Sequence, residues 1–170
     1  MMHYLDTNIL IYSSVNQDPA KMDLSQSIVQ ELFNKDKLLL SPLSLQELIF
    51  TLFKLNINIE SIEKTYSLFN QFCQYEINRD IMDSAFEIAS KTNFGKNIND
   101  IIHLKFAEKY CSKLLTFDKD FKLLKQLLKK LKLILLIIQG FRKFKNMIKA
   151  VKQQHFVTIF FMVINYSTDN

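Results

Sequence analysis

Short apolar runs alternate with segments of helical period along most of this chain. Runs of this kind lie at residues 2–6, at Lys37-Leu38-Leu39-Leu40-Ser41 just before Pro42, at Lys113-Leu114-Leu115-Thr116-Phe117 and at 131–138, and Gln74 to Ile77 reads as a further strand. Between them, apolar residues recur at helical spacing. Ile28, Val29, Leu32 and Phe33 form one such set, and Leu45, Leu48, Ile49, Leu52 and Phe53 another. Further sets are Ile62, Tyr66, Phe69 and Cys73; Ile81, Ala85 and Ile88; and Ile101, Leu104 and Ala107. No two-residue hairpin signal joins neighbouring runs. The pattern predicts an α/β fold, with five strands in a parallel sheet flanked by helices on both faces. Such sheets place functional groups beyond the carboxyl ends of their strands.

The first run ends in Tyr4-Leu5-Asp6-Thr7-Asn8-Ile9-Leu10-Ile11-Tyr12. It delivers one carboxylate, two polar residues and then a new apolar stretch. Asp6 therefore falls where a buried strand ends and the chain turns. Ser41 and Asp118 fall at two other strand ends, and Glu47 and Asp100 in the first turns of helices that follow loops.

Each of these acids also has an ordinary structural use. Asp-Thr-Asn after a strand makes a turn and a helix cap. Glu47 stands three residues after Ser44, as in a capping box, and Asp100 three after Asn97. Asp118 can cap a helix that begins near Asp120. Taken together, Asp6, Glu47, Asp100 and Asp118 would crowd one sheet edge with like charge. Helix N-termini offset part of that repulsion, and a bound cation offsets more. No His or Cys cluster points to zinc. Carboxylates with water suit Mg²⁺ or Mn²⁺, ions that activate water and stabilise charge on a phosphodiester in flight. No activated Ser, Cys or Lys nucleophile is evident, so direct attack by water is the natural mechanism.

These motifs carry a resemblance. Tyr4 to Tyr12 resembles the first motif of the PIN domain family, and Ser44-Leu45-Gln46-Glu47-Leu48 its second. Asn99-Asp100-Ile101-Ile102-His103-Leu104-Lys105-Phe106-Ala107 resembles the third, and Leu114-Leu115-Thr116-Phe117-Asp118-Lys119-Asp120-Phe121 the fourth. Their order and spacing agree over about residues 2–138. The group most similar is the small single-domain PIN proteins, which include VapC-type toxins. The resemblance implies a single PIN-like nuclease domain over residues 1–138, and a Mg²⁺-dependent endoribonuclease acting on RNA. It implies a homodimer and an antitoxin protein as partner. Asp6 and Asp100 are then the direct metal ligands, with Glu47 and Asp118 completing the acidic pocket directly or through water. Asp120 is a weaker substitute for Asp118. Asn8 and Thr116 would orient the site by hydrogen bonding, and His103 is expected to be a packing residue. The alternative on the same fold is a catalytically silent RNA-binding or protein-interaction module, against which the presence of all four acids argues. A phosphatase of the haloacid-dehalogenase type would want an acid where Asn8 stands. A receiver domain would want paired acids near the end of its first strand, where Asp6 stands alone.

Charge and composition bound the rest. A chain of 170 residues with 48% hydrophobic residues suits one globular domain. Cys73 and Cys111 make no metal or disulfide pattern, as expected of buried free thiols in a cytoplasmic protein. The start lacks the features of a signal peptide, and no stretch reaches the ~20 apolar residues of a membrane span. The net charge of +5 is unevenly placed. Residues 1–120 hold 12 Lys/Arg against 16 Asp/Glu, whereas residues 121–170 hold 10 against one. The body is therefore acidic and the basicity belongs to the C-terminal part. Residues 139–170 read as an extension beyond the domain. It carries the basic stretch Arg142, Lys143, Lys145, Lys149 and Lys152, followed by the apolar Phe156 to Ile164. Two readings stand: an unselected extension, or an arm that binds RNA or a membrane surface.

Overall fold

In the computed structural model, which describes residues 1–92, 97–124 and 132–135, four of the five expected strands form. They are β1 (Met2–Leu5), β2 (Leu38–Leu39), β3 (Cys111–Thr116) and β4 (Lys132–Leu135). All pair in parallel, in the order β2-β1-β3-β4. The register sets Tyr4 beside Leu39 and Leu114, and Leu5 beside Leu115. Successive side chains point to opposite faces of a strand. Tyr4, Leu39 and Leu114 accordingly enter one core, and Leu5, Leu38 and Leu115 the other. Burial on both faces is the reason these strands read as unbroken apolar runs rather than as an alternation.

Seven helices are described: α1 (Thr7–Ser14), α2 (Pro19–Asn34), α3 (Pro42–Lys54), α4 (Ile59–Asn70), α5 (Arg79–Thr92), α6 (Ile98–Tyr110) and α7 (Phe121–Leu124). Helices α1 to α4 give Ile9, Ile28, Leu48 and Phe69 to the first face. Helices α5 to α7 give Ala85, Ile101, Phe106 and Phe121 to the second. The fold is α/β, with a parallel sheet flanked by helices on both faces.

Two expectations change. The stretch at 74–77 is not a strand. Just before it, the Phe72 carbonyl accepts from the N–H of Leu40, the residue that follows β2, at 3.0 Å. The segment carries the chain from α4 on one face to α5 on the other, so it rounds the sheet edge instead of lying along it. Tyr75 stacks on Tyr110 with ring centroids 4.3 Å apart, which ties the segment to α6. The second change is at α3, which starts at Pro42 rather than Ser44. Ser41 is its N-cap, accepting from Ser44 N–H at 3.1 Å, and Pro42 needs no N–H partner in a first turn. The Ser44–Glu47 capping box is therefore not formed, and Glu47 lies in the second turn. Asn56 ends the segment with a positive φ of 55°, a conformation Asn tolerates better than most residues.

Cys73 and Cys111 are free and partly buried, and burial pushes their thiols up to about 11 and about 12. Among the described residues no helix is long and apolar enough to cross a membrane. The boundary expected after residue 138 and the extension 139–170 lie outside the described residues.

Candidate active site

Chain connectivity marks one place on this sheet. From β1 the chain moves to β2 on one side, and from β2 it returns across β1 to β3 on the other. A crevice opens where such a reversal occurs, outside the carboxyl ends of the strands. Asp6 follows β1 and Asp118 follows β3. Asp6, Glu47, Asp100 and Asp118 all line one open cleft of about 520 Å³ there. Asp120 does not line it. Its N–H instead donates to Asp118 Oδ1 at 2.8 Å, where the chain turns into α7.

Asp6 is both helix cap and cleft carboxylate. It is 6% exposed. Its Oδ1 accepts from Thr7 N–H at 2.8 Å, the N-cap bond of α1. Its Oδ2 accepts from Asn8 Nδ2 at 2.6 Å and from Thr116 Oγ1 at 2.5 Å. Asn8 also reaches Thr116 Oγ1, at 3.1 Å, and accepts from Phe117 N–H at 3.3 Å. Thr116 Oγ1 in turn accepts from Asp118 N–H at 2.8 Å. Asn8 and Thr116 thus lock the ends of β1 and β3 around one carboxylate. Burial pushes the Asp6 carboxyl above its ordinary value, opposed by the positive field of His103 and by these hydrogen bonds.

Glu47 is held by three side chains from two helices, α1 and α6. Oε2 accepts from Thr7 Oγ1 at 2.6 Å and lies 2.9 Å from His103 Nε2, while Oε1 accepts from Asn99 Nδ2 at 2.7 Å. Burial pushes this carboxyl up. The hydrogen bond and field of His103, with Thr7 and Asn99, outweigh that and hold it below its ordinary value.

Asp100 is treated differently. It sits in the first turn of α6, whose N-cap Asn97 makes no side-chain cap bond. Half-buried, it is raised to about 6, first by burial and then by the charges of Asp6 and Asp118, with Glu47 adding to them. Among the described residues no hydrogen bond steadies its carboxylate. It is the acid most exposed to its neighbours' repulsion.

Behind the cleft lies a polar cluster that local sequence does not announce. Tyr4 Oη is fully buried and lies 2.7 Å from Ser41 Oγ, 2.6 Å from Ser44 Oγ and 2.5 Å from His103 Nδ1. Burial pushes the phenol far above its ordinary value, so it keeps its proton. The His103 ring therefore bridges Glu47 through Nε2 and the Tyr4 hydroxyl through Nδ1, and Ser41 and Ser44 complete the partners of that hydroxyl. His103 is 1% exposed, as a packing residue would be, yet both its nitrogens are engaged. The available signal was Tyr4 itself, since a buried tyrosine on a strand needs a partner for its hydroxyl.

The donor set is oxygen only, which suits a hard divalent cation. Among the described residues no three His, Cys, Asp or Glu side chains stand close enough together to hold a metal ion. The chain would supply part of a coordination shell, the remainder being water and phosphate oxygens, a common arrangement for Mg²⁺. The Asp100 carboxyl is raised by burial first and by the like charges of Asp6 and Asp118 second, and a cation would offset both.

A family model described as PIN domain matches residues 3–127. No curated protein matches the chain. Among solved structures, a chain in the crystal structure of VapBC2 from Rickettsia felis, bound to a DNA fragment from their promoter, superposes with a TM-score of 0.58. It is 18% identical and covers 81% of this chain and 100% of that one. At that identity the likeness is one of fold.

Proposed function

This chain belongs to the PIN domain family, and from that premise we propose that it is a Mg²⁺-dependent endoribonuclease, Mn²⁺ serving as an alternative ion. The observation that carries the reading is the convergence of four carboxylates, from four separate places in the sequence, on one cleft at the reversal of strand order. Asp6 and Asp100 would hold the ion, and Glu47 and Asp118 complete the acidic pocket. A bound divalent cation supplies activation of water and stabilisation of charge on the phosphodiester.

The chain's own residues do the positioning. Asn8 and Thr116 aim one oxygen of Asp6, and the N-cap bond of α1 holds the other. Both oxygens of Glu47 already accept hydrogen bonds. Glu47 thus acts as a fixed negative charge, placed by Thr7, Asn99 and His103. Asp100, without such bonds among the described residues, is free to move toward a ligand.

The likeness to a chain of a VapBC2 assembly supports a finer reading. On it the protein is the cytoplasmic toxin of a toxin–antitoxin pair, restrained by an antitoxin protein and active as a homodimer. The nuclease would occupy residues 1–138, with 139–170 an extension. Cleavage of RNA by wild type and Asp6→Ala, with Mg²⁺ and with chelator, tests the activity. Wild type is expected to cleave only with the ion and Asp6→Ala not at all. Equal cleavage by both rejects the mechanism, and RNA binding without cleavage makes the protein a binding module.

A further inference from the structure

Helix α3 exposes aromatic rings beside residues it buries completely. Leu48 and Leu52 are 0% and 1% exposed, whereas Phe50 is 61% and Phe53 55% exposed. Phe50, Phe53 and the 45%-exposed Tyr66 line one groove, and contiguous exposed apolar surface of this kind marks binding sites. Phe50 stands three residues after Glu47, on the same side of the helix and one turn further along. It lines the acidic cleft together with Gln46. Phe50 and Gln46 also line a second groove, of about 590 Å³, between α3 and α4, with Ile49, Phe53 and Tyr66 further along it. The Phe50 ring is thus a wall shared by the two cavities.

The shared wall says what the ring meets. A nucleic-acid strand with a phosphate among the carboxylates has a neighbouring nucleotide within reach of Phe50, because the ring and the acids line the same cleft. Flat aromatic faces beside the Gln46 amide, which both donates and accepts, match an unpaired base with its apolar face and polar edge. In a duplex that face is covered by the next base pair.

We propose that Phe50 is a stacking platform for an unpaired nucleobase adjoining the cleaved phosphate. This rests on the ribonuclease reading above and adds a base-contacting residue to that site.

The chain contains no tryptophan, so Phe50→Trp introduces a lone fluorescent reporter at the platform. It is titrated in chelator, which prevents cleavage, with a single-stranded oligoribonucleotide, its duplex, and an abasic strand carrying the same phosphates. Quenching by the single strand alone is expected. Equal quenching by the abasic strand, or none by any RNA, overturns the proposal. A spectral shift seen only with a partner protein overturns it in favour of a protein-docking groove. In cleavage assays, Phe50→Ala should raise KM for single-stranded RNA about tenfold, with the effect on KM exceeding that on kcat. Phe50→Tyr should stay near wild type. Phe50→Leu should resemble Phe50→Ala, and a leucine variant as good as wild type means that apolar contact, not stacking, is the role. Wild type that cleaves no RNA removes the ribonuclease reading, while the fluorescence titration still tests the platform.

Discussion

His103 Nε2 lies 2.9 Å from Glu47 Oε2, joining α6 to α3 across 56 residues of sequence. The other nitrogen of the same ring lies 2.5 Å from the Tyr4 hydroxyl. One buried imidazole therefore connects a core strand to a cleft carboxylate. His103→Ala removes both bonds and leaves a void, and should cost about 2–4 kcal/mol of stability. It should also lower kcat/KM roughly tenfold by releasing Glu47. His103→Gln can still present an amide donor to Glu47, so it should recover more activity than stability. If glutamine recovers neither, or alanine loses neither, the linkage is wrong; denaturant melts beside cleavage rates decide.

Asp100 has the opposite character, being raised by burial and by three like charges with no hydrogen bond among the described residues. Asp100→Asn should raise the melting temperature of the metal-free protein at pH 7.5 by a few degrees. The same variant should lose the stabilisation that Mg²⁺ gives wild type, and at least about 100-fold of the cleavage rate. A variant less stable than wild type in chelator would contradict the repulsion inferred at this carboxylate.

The pH dependence follows from the same group. Its folded value of about 6 lies above the ordinary 3.8, so the fold takes up a proton there more readily than the unfolded chain. Its contribution to metal-free stability is therefore present below about 4, declines as pH rises to about 6 and is flat above that. Protons compete with the cation over that window. Mg²⁺ should accordingly raise the melting temperature more at pH 7.5 than at pH 5, as thermal melts across a magnesium titration can show. An ion effect independent of pH would rule out Asp100 as a ligand.

Thr116 donates to Asp6 at 2.5 Å and accepts from Asp118 N–H at 2.8 Å. Thr116→Val keeps the shape but removes both bonds, leaving a buried carboxylate less satisfied. The expected loss is about 1–3 kcal/mol of stability and roughly tenfold in cleavage rate. Thr116→Ser keeps the hydroxyl and should retain most of both. If valine and serine behave alike, the hydroxyl has no positioning role.

Truncation after residue 138 addresses the basic extension. The PIN match ends at residue 127, so the shortened chain should retain cleavage. Loss of Arg142, Lys143, Lys145, Lys149 and Lys152 should leave RNA affinity and its salt dependence unchanged if the extension is unselected. A shallower salt slope with weaker binding would identify an RNA-binding arm.

Much of this protein could be read along the chain. Strands β1 to β3 and the helices between them are local events, set by apolar runs, helical spacing and caps such as Asp18, which bonds Ala20 and Lys21 N–H ahead of Pro19. The identity and order of Asp6, Glu47, Asp100 and Asp118 are also written there: Asp6, Asp100 and Asp118 stand at a predictable end of a strand or beginning of a helix, while Glu47 lies one turn further into α3 than the sequence predicts. Gln74 to Ile77 misled because a short alternation of polar and apolar residues does not record that its chain must round a sheet edge.

Partnership was decided only in three dimensions. Tyr4 meets Ser41, Ser44 and His103, and Asp6 meets Thr116, across sequence separations from 37 to 110 residues. No periodicity or cap encodes such pairs; strand order and register bring them together. The same packing gives two similar acids opposite characters. Glu47 is surrounded by donors and held below its ordinary value, while Asp100 is left among like charges and raised to about 6. Sequence determined which carboxylates this protein has, but burial and neighbouring dipoles, which exist only in the fold, determined how each holds its charge.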